Sequence, residues 1–149
     1  MDIWGLLHDI WSSVIGPGGV STVVTNIFNI VNGLLVLKET GGTVTTTGPG
    51  TEDDIYINNA PAVVYKPLKV IVDFSKQTIN ETVVIREYYR ISPAPGAALI
   101  LKDEETFTGL QDPLLKNIEI EPNRYGVRVS MERTAGVAKD YDWCAFYEN

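Results

Sequence analysis

The sequence predicts a mainly β protein, an antiparallel two-layer β-sandwich of jelly-roll or immunoglobulin-like type, preceded by an N-terminal amphipathic helical segment. Three observations predict it. From residue 39 onward, stretches with strand character follow one another about twelve to sixteen residues apart. Several of them alternate apolar and polar side chains with period two, as in Val70, Val72, Phe74 and in Val127, Val129, Met131, the mark of half-buried antiparallel strands. Before residue 39 the period changes: Val20, Val24, Ile27, Val31 and Leu34 fall at spacings of four and three, as on one face of a helix.

The chain begins Met1-Asp2, without a basic stretch or a small-residue cleavage pattern, so no secretory signal is expected. Asp2 can cap a first helix, IWGLLHDIWSSVI, in which Ile3, Leu7, Ile10 and Val14 repeat and Trp4, Leu7 and Trp11 share a side. Gly16-Pro17-Gly18-Gly19 breaks it, and Ser21 or Thr22 can start a second helix. Val23, Ile27, Ile30, Leu34 and Leu37 widen the apolar face of that second helix, while Thr22, Thr25, Asn26, Asn29 and Asn32 line its back. Burying such a face is worth about 1.5–3 kcal/mol per large side chain, so roughly 10 kcal/mol or more for the whole before ordering costs.

Three environments can bury it: the chain's own body, identical chains, or lipid. The Asn and Thr residues, Gly33 and a single basic flank, Lys38, speak against lipid. The expectation is therefore burial against protein, as a bundle between chains or as a hairpin on the sandwich. The bundle is preferred, which makes residues 1–38 an assembly or docking segment and the chain a homo-oligomer, with a trimer as the first guess. Residues 39–149 are the expected sandwich domain.

The stretch ETGGTVTTTGPGTEDD is rich in Gly, Thr and Pro and reads as loop and edge strand. Strands are expected at 43–47, 54–58, 68–74, 82–91, 98–107, 117–121, 125–133 and 141–147. Residues 75–80 read as a longer hairpin between two of them, and Ser92-Pro93-Ala94-Pro95-Gly96 as a sharp break. Glu121-Pro122-Asn123-Arg124 and Thr134-Ala135-Gly136 read as turns.

Chemistry-bearing motifs are sparse. His8 is the one histidine and Cys144 the one cysteine, and they fall in different elements. No nucleophile–base pairing or nitrogen- and sulfur-based metal site is expected from them. Cys144, near Asp140, Asp142 and Glu148, lacks the electropositive surroundings of a reactive thiol. The clusters Glu52-Asp53-Asp54 and Asp103-Glu104-Glu105 offer oxygen ligands but lack a calcium-loop pattern, and read as solvated charge. Nucleotide-binding glycine loops are absent as motifs. A net charge of −7 with 12 Lys and Arg disfavours nucleic acid and anionic membrane. The expectation is a non-enzymatic protein with no catalytic residue, cofactor or metal.

The body, from about Glu39 to Glu148, carries KVIVDFS, ETVVIREYYRI, LKDEETFTG and the closing PNRYGVRVSMERTAGVAKDYDWCAFYE. In these it resembles small β-sandwich virion proteins of tailed viruses and their environmental relatives. The resemblance implies a structural role, such as a head decoration, turret, tail-tip or fibre component, with other virion proteins as partners and the virion as location. It transfers no functional residues and leaves the N-terminal helices outside. Two alternatives stand beside it. One is a carbohydrate- or receptor-binding sandwich using aromatics such as Tyr56 and Tyr88. The other is a membrane-attached protein of the cell surface or extracellular space.

Overall fold

The computed structural model describes residues 27, 37–58, 66–94 and 96–148. Among them run eight strands: β1 (Leu37–Thr45), β2 (Asp53–Asn58), β3 (Lys66–Asp73), β4 (Thr82–Tyr89), β5 (Ile100–Thr108), β6 (Leu115–Glu119), β7 (Val127–Ala135) and β8 (Asp140–Glu148). Each expected strand overlaps one of these. They form two four-stranded sheets, ordered β1-β8-β3-β6 and β2-β7-β4-β5, antiparallel throughout. The pairs β1–β8, β2–β7, β3–β6 and β4–β5 are nested, as in a long hairpin wrapped on itself. Every connection except β4 to β5 therefore passes from one sheet to the other.

The sheets face each other across a shared core, because period two sends alternate side chains inward. Val70, Val72, Tyr141 and Ala145 come from one sheet; Val83, Ile85, Val127, Val129 and Met131 come from the other. Phe74, just past β3, bridges the layers: its ring lies 4.7 Å from that of Phe107 on β5 and 5.4 Å from that of Tyr141 on β8.

Two expectations need correction. Leu37, read as the last residue of the helical stripe, opens β1, whose Gly41-Gly42 had the look of a loop. Here Gly41 serves close approach to β8, while a Cβ on Gly42 would make ordinary contact, 3.5 Å from the Trp143 ring. A Cβ on Gly41 would lie 2.7 Å from the Trp143 carbonyl oxygen, closer than side chains tolerate, so only glycine fits that position of the ladder. The hydroxyls of Thr43 and Thr45 then donate to Asp142 and Asp140 at 2.6 Å each, fastening the edge strand. Residues 75–80 are not a hairpin either, since β3 pairs with β6 and β8 while β4 pairs with β5 and β7. They form an arch between sheets, anchored by buried Gln77. Its amide donates to the Phe107 and Gly109 carbonyls at 3.1 and 2.8 Å.

Of the expected assembly residues, Ile27 is helical and exposed. Trp4, Leu7, Trp11, Val20, Val23, Val24, Ile30, Val31 and Leu34 lie outside the described residues.

Gly136, between β7 and β8, has φ +86°, and a Cβ there would sit 2.5 Å from Glu81 Cγ and 2.9 Å from Glu81 Cα. Gly50 also has positive φ, +79°, but nothing lies within 4 Å of its would-be Cβ. Gly50→Ala should cost about 1–2 kcal/mol from backbone strain alone. Gly136→Ala should cost about 2–4 kcal/mol, because the clash with Glu81 adds to the strain. Urea unfolding of the two variants side by side checks the difference; equal costs would mean that Glu81 yields.

Candidate functional site

Alternation along β4 sends Thr82, Val84, Arg86 and Tyr88 to the outer face and Val83, Ile85, Glu87 and Tyr89 inward. The outer row meets polar neighbours from β2, β5 and β7. Arg86 donates to Glu104 at 2.6 Å, to Glu132 at 2.6 Å and to Glu52 at 3.2 Å. Arg128 donates to Glu52 at 2.9 Å and also to Asp54. Tyr88 and Ser130 donate their hydroxyls to the two oxygens of Glu52 at 2.6 and 2.8 Å. Glu132 accepts in addition from the Gly50 amide at 2.6 Å.

Glu52 is thus the hub of a network that crosses all the strands of its sheet. Burial opposes its charged form, but the hydrogen bonds of Tyr88 and Ser130 and the charges of Arg128 and Arg86 outweigh that and hold its carboxyl below the usual range. Glu132 is likewise held low, first by the Arg86 hydrogen bond and then by the Gly50 amide. Tyr88 is pushed up to about 12, by burial first and by its bond to Glu52 second. The run Glu52-Asp53-Asp54 is therefore not the solvated charge its sequence suggests. Asp54 pairs with Arg128, and Asp53 accepts from the amide and hydroxyl of Thr47, both at 2.7 Å. Every acid of this face has a partner, and the network fastens strands together.

The opposite condition holds at the open side of the sandwich, where β5 and β6 are the end strands of their sheets. Between them lies a cleft of about 350 Å³ whose walls carry Glu87, Asp103, Glu105 and Glu121 against one ammonium, Lys102, with Glu104 and Glu119 bordering it from the outward rows of β5 and β6. Lys102 is the extra residue of a β-bulge, since Glu87 pairs with Asp103 and Tyr88 with Leu101. The bulge aims it into the cleft. Its Nζ stands 3.6 Å from both Glu87 and Glu121 and 5.0 Å from the Tyr89 ring centre. Glu87 is only 8% exposed, and its Oε2 accepts no hydrogen bond. Burial pushes its carboxyl up, with the Lys102 charge opposing. Beyond Lys102 and Glu121 the cleft runs on into a second hollow of about 340 Å³ that turns apolar, with Ile91, Ile100 and Leu101 on its wall.

The aromatics offered for ligand contact lie elsewhere. Tyr56 is buried, with its ring edge-on to Trp143 at 6.4 Å. Tyr88 is held by Glu52 and Arg128. Cys144 is half-buried on β8, its thiol pushed up by burial and then by the Glu39 charge, in keeping with an inert side chain. Among the described residues, no three acidic, histidine or cysteine side chains converge as a metal site would require. Sequence reasoning passed over the groove, although one signal for it was present. Glu87 is the charged member of an otherwise apolar inward row, Val83, Ile85 and Tyr89.

The two kinds of acid titrate with opposite sign. Glu52, held low, contributes stability above the ordinary carboxylate range that is lost as the pH falls through its lowered value. Glu52→Gln should therefore destabilise at pH 7 by about 1–3 kcal/mol, since two arginines lose a charged acceptor, and the deficit should shrink in acid. Glu87, held high, binds its proton more tightly in the folded state, so its contribution falls as the pH rises through its raised value. Glu87→Gln should be neutral in acid and stabilising, by up to about 1 kcal/mol, at pH 7. Thermal unfolding of both variants across that pH range checks the two signs. In comparisons with known protein families, curated proteins and solved structures, the chain matches none.

Proposed function

We propose that the chain is a non-enzymatic structural protein of a virus particle, a decoration, turret, tail-tip or fibre component. Its N-terminal segment docks or self-assembles, and its sandwich is displayed. The observation that carries this reading is the strand order, β1-β8-β3-β6 against β2-β7-β4-β5 with nested pairs. That order is a jelly roll, the double-sheet arrangement used by viral capsid and lectin domains. The warrant is analogy at the level of fold, joined by the resemblance of residues 39–148 to virion sandwich proteins.

Exposed aliphatic side chains support an assembled state. Ile79 and Leu110 are 72% and 70% exposed on the neighbouring connections 75–81 and 109–114, with Leu114 nearby. Such surfaces suit contacts within a particle better than solvent. The partners in this reading are further copies of the chain and other virion proteins. A second reading, a receptor-binding sandwich, is favoured by the acidic groove between β5 and β6 and not by Tyr56 or Tyr88.

Sedimentation of the full chain at micromolar concentration tests self-assembly. An oligomer, a trimer first of all, is expected, and Val24→Asp with Val31→Asp should reduce it to a monomer. A full chain that is already monomeric overturns self-assembly through the N-terminal segment.

A further inference from the structure

The groove along the open side of the sandwich is electrostatically unfinished. Four carboxylates, Glu87, Asp103, Glu105 and Glu121, face one ammonium along it, in contrast to the outer face of the β2-β7-β4-β5 sheet, where each acid has a cationic or hydrogen-bonding partner. Glu87 sharpens the contrast. It is nearly enclosed, and its Oε2, which accepts no hydrogen bond, has the Lys102 ammonium as an ion-pair partner at 3.6 Å, beyond hydrogen-bonding distance. A buried carboxylate oxygen without a donor costs free energy unless something supplies one.

The frame around these acids is a strand edge. β5 is 9 residues long, and all but Phe107 are exposed. Among the described residues it pairs only with β4, which leaves one side of its backbone to receive a further strand. The apolar hollow with Ile91, Ile100 and Leu101 continues the same line.

We propose that this edge and groove receive an extended, lysine- or arginine-bearing segment of another protein, laid along β5 as an added strand. Its basic side chains reach the carboxylates of Glu87, Asp103 and Glu105, and an apolar side chain enters the hollow beside Ile100. Main-chain bonds to an edge give affinity in this mode of recognition, and side-chain pockets give choice of partner. The occupant is neither a second copy nor this chain's own N-terminus. Copies carry −7 each, and residues 1–36 contain no lysine or arginine. Paired with itself, the acidic centre of β5 would set like charges opposite one another. The proposal concerns a binding surface and holds whether or not the chain belongs to a virion.

The test uses the full chain and a fluorescein-labelled peptide as long as β5 (9 residues), alternating lysine with valine and threonine. Its counterpart has glutamate for lysine. Saturable binding of the lysine peptide alone is expected. It should weaken about tenfold in Asp103→Asn/Glu105→Gln and in Glu87→Gln, which keep their side-chain shapes, and be unchanged in Glu39→Gln on β1. Thermal unfolding confirms that each variant is folded. Amide hydrogen exchange across Ile100–Thr108 should slow when the peptide is bound. Absence of saturable binding, equal binding of the glutamate peptide, equal loss in Glu39→Gln, or binding without slowed exchange on β5 would each overturn the proposal.

Discussion

The structure depends on the contact between two sheets whose inward side chains alternate with outward ones. Val70, Val72 and Tyr141 meet Val83, Val129 and Met131 across that plane, and the packing is close because each strand contributes one row and no more. The rest follows from where a strand stands in its sheet. Strands in the middle have both edges paired and one face buried, and their outer faces can carry polar networks such as the one around Glu52. Among the described residues, strands at the ends of the sheets have one edge unpaired, and along β5 the inner row passes from buried Phe107 to exposed Glu105 and Asp103 at the cleft. Acidic side chains at inward positions, Asp103 and Glu105, are tolerated there for that reason.

Much of the architecture was legible in the sequence. Clean alternation in β3, β4, β7 and β8 marked strand and inward face together, since one slip would send the apolar row to solvent. What local pattern cannot show is partnership. Leu37 pairs with Glu148 and Asp53 with Met131, and no neighbour in the chain betrays either match. The same blindness turned the arch at 75–80 into a hairpin, because its polar residues look alike in both settings and only buried Gln77 tells them apart. The pair Gly41-Gly42, poor strand formers by propensity, hides the first half of β1, and Gly41 is there for close packing. The acids show the same limit: Glu52 and Glu105 both sit in short acidic runs that read as solvated, and only the fold gives the first to two arginines while leaving the second exposed at the cleft.

The two acidic regions divide the surface into a satisfied part and an unsatisfied one. Around Glu52 the charges hold strands in register and leave little capacity for a ligand. Around Glu87 the fold carries a local cost, tolerated by a core that is otherwise well packed. Stability conceded at a site in this way is a common trace of binding.

The nested pairing has a consequence for how the chain is made. The last two strands occupy the interiors of the sheets: β7 lies between β2 and β4, and β8 between β1 and β3. On a ribosome, a nascent chain that has emerged only through β6 holds neither sheet complete, and its early strands wait with open edges. Closure comes at the end and joins the most distant residues, a high-contact-order event that folds slowly. The lysines, acids and glycines along β1, β3 and β5 then guard the growing chain against its neighbours before they serve the finished one.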